Sequence, residues 1–168
     1  MVFISLIALL SIWVSRVNFN SFTNGQKVLI LSQKIISRIE TVKNYAKNGY
    51  GIWVWLTTPD AWRVQLSQTG IISEYSLDNK NTWNPFPTLS YQFQNWESIS
   101  LLRCKNTLAW IPEDSATSAS LEFSSTGTLI SGCNAPNFTE LQINAQYANE
   151  KRVLSFSTLN SVIEVGKE

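Results

Sequence analysis

The chain has 168 residues, 44% hydrophobic and only 15% charged, with a net charge of +1. That is enough for one domain plus an anchor, and its charge content falls below the about 25% usual in soluble domains. It contains no histidine, which removes the commonest general base and the commonest metal ligand at once. The charges are unevenly placed. Residues 16–49 carry six basic residues (Arg16, Lys27, Lys34, Arg38, Lys43, Lys47) against Glu40, whereas the rest of the chain has seven basic to eleven acidic residues. A mildly acidic remainder argues against nucleic acid as a partner.

The first fifteen residues, MVFISLIALLSIWVS, are uncharged. As a helix they would span about 22 Å, short of the roughly 30 Å hydrocarbon core of a bilayer. The length suits a signal-peptide apolar region, yet no basic residue precedes it and no A-x-A-like cleavage site follows. Positive charge follows the apolar run, an order that by itself would keep the remainder in the cytoplasm. A few apolar residues and a basic leader upstream of Met1 would resolve these conflicts. Residues 1–22 are therefore expected to form an apolar helix for a membrane or a filament core.

Residues 19–25 (FNSFTNG) are rich in turn formers and predict a break, with Thr23 and Gln26 as a capping box for a new helix. From there Val28, Leu31, Ile35, Ile39, Val42 and Ala46 recur at a spacing of three or four, widened by Ile36 and Tyr45. This predicts an amphipathic helix over 23–49, packed through Val28, Leu31, Ile35, Ile39 and Val42. Lys27, Lys34, Arg38, Lys43 and Lys47 occupy its other faces, as a solvated surface or a contact with anionic lipid or neighbouring subunits. Asn48-Gly49 suits its end.

Residues 50–168 read as a β-rich head. Runs 50–57 (YGIWVWLT) and 62–67 (WRVQLS) flank Pro59-Asp60 and predict a hairpin. Weaker strands are expected at 70–75 and 89–93, around a polar loop at 78–88. Further strands are expected at 98–103, 107–111, 119–123, 128–131 and 141–146, then a closing pair at 152–157 and 162–165. The two cysteines, Cys104 and Cys133, read as one disulfide in an oxidising compartment, closing a loop of about 30 residues and contributing about 3.5 kcal/mol. Two buried free thiols are the alternative.

Seven tryptophans (13, 53, 55, 62, 83, 96 and 110) are expected mainly as core and cross-strand packing. Trp53 and Trp55 would share a strand face, and Trp83, in the polar loop, is the candidate for an exposed ligand or partner contact. Asp60, Asp78, Glu113 and Asp114 lack the alternating-oxygen spacing of a calcium loop, and Glu113-Asp114 reads as a solvated turn. Asn137-Phe138-Thr139 matches a glycosylation sequon, a pattern short enough to arise by chance. No catalytic residue, cofactor or metal is assigned.

The stretch SRVNFNSFTNGQKVLILSQKIISRIETVKNYAKNGYGIWVWL, with Gly49-Tyr50-Gly51-Ile52 between helix and strand, resembles the stalk-to-head passage of type IV pilins and type II secretion pseudopilins. It is closest in pattern to H-type (GspH/FimT-like) minor pseudopilins. LEFSSTGTLISG and KRVLSFSTLNSVIEVG are similar to that family's closing strands. The resemblance implies an α+β, pilin-like class, with a long N-terminal helix packed on an antiparallel head. It implies a non-enzymatic subunit held in the bacterial inner membrane with its head outside the cytoplasm. Its partners would be other pilin or pseudopilin subunits, an assembly platform and membrane lipids. Laying VNFNS on the family's stalk puts the leader's Glu just ahead of Met1. The basic final turn of DNA-binding members is replaced by Leu159-Asn160-Ser161 and a Gly166-Lys167-Glu168 end, so no DNA uptake is implied. A membrane-tethered β-sandwich that binds aromatic or carbohydrate ligands is the alternative.

Overall fold

A computed structural model describes residues 19–50, 57–105, 110–112, 118–125, 127–131, 138–158 and 163–166. The apolar run 1–15, Gly51 and Ile52, Trp53 and Trp55, Glu113 and Asp114, Cys133, Asn137, Leu159-Asn160-Ser161 and Lys167-Glu168 lie outside them.

Helix α1 spans Phe19–Asn48 without interruption. The break expected at 19–25 is absent, and Thr23 lies inside the helix rather than capping it. Gly25 has nothing within 4 Å of a would-be Cβ. A glycine there costs the helix about 1 kcal/mol, which the continuous hydrogen-bond ladder and the packing that begins at Val28 outweigh. The other end is specified locally. Gly49 takes φ +65°, and the Tyr50 N–H donates to the Tyr45 carbonyl at 3.0 Å. This is a Schellman closure, and the accompanying apolar contact is Tyr45 stacked on Tyr50 at 3.9 Å.

Eleven described strands follow: β1 Ala61–Ser67, β2 Gly70–Ser76, β3 Asn84–Pro85, β4 Tyr91–Gln92, β5 Glu97–Lys105, β6 Trp110–Pro112, β7 Ser118–Ser124, β8 Gly127–Ser131, β9 Glu140–Tyr147, β10 Glu150–Ser157 and β11 Ile163–Gly166. They form two antiparallel sheets. One runs β3-β2-β1-β7-β8 with β4 also on β2, and the other runs β11-β10-β9-β5-β6. The expected α+β, pilin-like class is thereby overturned: among the described residues one helix lies against two antiparallel sheets, and the fold is mostly β. Of the hairpin expected between 50–57 and 62–67, residues 51–56 lie outside the described residues, and its second run does not have a free edge. Both edges of β1 are taken, one by β2 and the other by β7.

Alternation within the first sheet builds a buried row. Trp62, Val64 and Leu66 pair with Phe123, Leu121 and Ala119 on one side and with Tyr75, Ser73 and Ile71 on the other. The opposite face carries Arg63 between Glu74 and Glu122. The second sheet needs a correction to simple alternation. Ile99 pairs with Ala145 and Leu101 with Asn144, so Ser100 is an extra residue. This bulge reverses the parity of β5, which lets Ile99 and Cys104 bury on the same side as Leu141, Ile143 and Ala145. Cys104 is disulfide-bonded.

β1 and β2 turn through Gln68 and Thr69, with the Ser67 hydroxyl bonded to Gly70. Gly70 is required by close approach, because a Cβ there would come within 2.6 Å of the Tyr91 carbonyl oxygen.

Candidate functional site

The feature that organises this molecule is the seam between α1 and the head. Val28, Leu31, Ile35, Ile39 and Val42 are all buried. α1 touches β9 and β10 of one sheet and β1 and β7 of the other. One helical stripe therefore closes the core against both sheets, and removing it would expose the inner face of each. Ser32 also lies in the stripe, where its hydroxyl donates to the Val28 carbonyl at 2.8 Å. That local bond lets a polar group enter the core.

The flank beside this stripe is cationic and engaged. Lys27 donates to the Tyr147 hydroxyl at 3.1 Å, Lys34 to the Tyr91 hydroxyl at 3.0 Å, and Arg38 to the Thr88 carbonyl at 3.0 Å. Lys27 and Lys34 also lie 4.9 Å from the ring centroids of the same tyrosines. Three of the five helix cations expected as a general solvated face are thus clamps onto the head. Lys43 and Lys47 lie on the other flank.

Lys34 sits in a node that reaches both sheets. Tyr91 on β4 accepts from Lys34 and donates to Glu97 Oε2 on β5 at 2.6 Å, and Lys34 Nζ lies 3.7 Å from Glu97 Oε1. Lys34 is held above its ordinary value of 10.5, first by its bond to Tyr91, while desolvation pulls the other way. Tyr91 is pushed above its ordinary value of 10.0, first by burial and then by the Glu97 carboxylate.

Both shifts favour the protonated forms in the folded state. The node's stabilisation is therefore full below the ordinary values and is lost as pH rises through the raised ones. Lys34 is 42% exposed at its side chain, so screening limits the effect to about 0.5 kcal/mol. Lys34→Met should melt slightly below wild type at about pH 8, and the gap should have narrowed by about pH 11. A gap that is constant across thermal melts at both pH values would exclude the node as its source.

At the C-terminal end of α1, five rings converge. Trp62 meets Phe86 edge-on at 5.3 Å and Tyr45 at 5.4 Å, with Tyr50 and Tyr75 completing the group. Trp62 is fully buried, and its Nε1–H has no hydrogen-bond partner among the described residues.

Trp83 is half-buried. Its ring lies 4.2 Å from the Arg63 guanidinium, which in turn bonds Glu74 Oε2 at 2.6 and 2.7 Å. Among the tryptophans whose burial is described, the exposed one is instead Trp96, at 73%. Asp78 is a turn carboxylate: Ser76, the Thr82 amide and the Thr82 hydroxyl donate to its oxygens. The Thr82 hydroxyl is the first cause holding it below the ordinary carboxylate value. Asp60 accepts from the Asn79 amide. Among the described residues no group of His, Cys, Asp and Glu side chains could hold a metal ion, and no helix is long and apolar enough to cross a membrane.

Comparison with known proteins finds no matching family model, curated protein or solved structure.

Proposed function

We propose that this chain is a minor pilin or pseudopilin. It would be a structural subunit held in the bacterial inner membrane by its N-terminal apolar run, and assembled into a type IV pilus or a type II secretion pseudopilus. The observation that carries this reading is the continuity of α1. The helix is bound to both sheets along one face, and at its N-terminal end the sequence leads into fifteen uncharged residues. Such a segment is stable in lipid and equally stable against like segments in a filament, because association there rests on packing rather than on release of water. A docked helix transmits that anchorage to a rigid head. This requires only a helix welded to a folded body, so a mostly-β head serves as well.

Two further features support the reading. Phe22 and Ile30 expose apolar side chains on α1 away from the buried stripe, where a neighbouring subunit could cover them. The disulfide at Cys104 suits a head outside the cytoplasm. Other subunits, the assembly platform and membrane lipids are the partners this role entails.

The test is where the protein resides in the cells that make it. Membrane fractionation should leave it in a carbonate-resistant membrane pool, and immunogold labelling should mark sheared surface filaments or secretion pseudopili. Recovery only in a soluble fraction, with filaments unlabelled, would refute the reading.

A further inference from the structure

Two non-glycine residues with left-handed backbone meet at one corner of the head: Trp96 at φ +73° and Ala148 at φ +52°. The Ala148 N–H donates to the Trp96 carbonyl at 3.0 Å, joining the turn before β5 to the turn between β9 and β10. The first turn is closed by the Glu97 N–H on the Gln94 carbonyl at 3.0 Å, and the Gln94 N–H donates to Glu97 Oε2 at 2.9 Å. Glu97 is itself fixed by Tyr91 and Lys34, with its side chain only 8% exposed. Trp96 is therefore held rigidly in a conformation that glycine or asparagine would adopt with less strain.

Packing does not account for the tryptophan, since its side chain is the most exposed of the large hydrophobic residues described. A strained backbone displaying an unburied aromatic ring is the kind of local conflict that marks a binding site. We propose that Trp96 is the stacking platform of a carbohydrate site on the head, with the amides of Gln94, Asn95 and Asn149, in the same two turns, hydrogen-bonding the sugar hydroxyls. The chemistry favours a sugar. A pyranose offers a C–H face about the size of an indole and a rim of neutral hydroxyls, and these amides supply both donors and acceptors. A protein partner would need about 800 Å² of surface with several anchors, whereas Gln94 and Asn95 are polar and exposed and neither turn holds a second exposed large hydrophobic.

The test is a glycan array of neutral, N-acetylated and acidic oligosaccharides probed with the labelled full chain in mild detergent. The best binder would then be titrated by tryptophan fluorescence. Trp96→Ala should weaken binding by about tenfold or more, and Trp96→Phe should weaken it less. Trp96→Gly should abolish binding while melting at or above wild type, because it relieves the strain; a merely structural tryptophan would lower the melting temperature. Absence of any array binding, or binding unaffected by Trp96→Ala, would overturn the proposal. So would a change of oligomeric mass in Trp96→Ala with sugar affinity retained, which would make the corner a protein contact. None of these results bears on membrane anchorage or filament labelling, so the site and the filament role fail or stand separately.

Discussion

Replacing Ile35 by Asp should unfold the head, or leave it too unstable to isolate. Ile35 is fully buried at the middle of the α1 stripe, between Leu31 and Ile39 one turn either way. Truncating such a side chain costs about 2–5 kcal/mol through lost apolar contact and the cavity left behind. A carboxylate adds an unpaired charge, because the stripe around it is apolar apart from Ser32, whose hydroxyl already serves the Val28 carbonyl. The sum approaches the whole stability of a domain, about 5–15 kcal/mol. Two controls bracket the result. Ile35→Val removes one methylene and should cost about 0.5–1.5 kcal/mol. Ile30→Asp lies on an exposed face and should stay within about 0.5 kcal/mol of wild type. Thermal melts of the full chain in mild detergent, followed by circular dichroism, decide the matter. If Ile35→Asp melts with Ile30→Asp, α1 is not part of the core.

The buried stripe of α1 is written in its spacing: Val28, Leu31, Ile35, Ile39 and Val42 recur every third or fourth residue and are the positions that face the sheets. The start of the helix is not written there. Residues 19–25 hold asparagine, serine, threonine and glycine, and local turn preference loses to an uninterrupted helix anchored by packing further on. Strand positions are visible as alternating runs, but their partners are not. A hairpin between 50–57 and 62–67 is plausible on spacing, yet β1 gives both edges to β2 and β7, and β7 is far away in the chain. Strict alternation also places Ile99 and Cys104 on opposite faces. Only the bulge at Ser100, invisible in a single sequence, brings them together. The two loop tryptophans make the same point. Trp83 and Trp96 both sit in polar surroundings. Trp83 is partly covered because Arg63, remote in sequence, meets it across the sheet, whereas the turn from Gln94 to Glu97 holds Trp96 outward. No local signal separates them.

Trp62→Ala should produce the second large loss, about 3–5 kcal/mol, or a fall in melting temperature of roughly 10 °C. Trp62 is the largest fully buried side chain described, and it joins β1 to the end of α1 through Tyr45 and Tyr50 and to the 78–88 loop through Phe86. Deleting it would leave a void among rings that cannot close over it without moving the Schellman turn at Gly49. Trp62→Phe should behave quite differently. It keeps a ring against Phe86 and Tyr45 and removes an Nε1–H that is buried without a partner among the described residues. Leaving a donor unpaired costs about 1–3 kcal/mol, so its removal offsets much of the lost volume. The Phe variant should therefore stay within about 1.5 kcal/mol of wild type. Near-ultraviolet circular dichroism should show the aromatic signal collapsing in Trp62→Ala and persisting, altered in shape, in Trp62→Phe. Equal destabilisation by the two substitutions would mean that the indole N–H makes a bond that matters to the fold, and the account of this ring cluster as packing alone would fail.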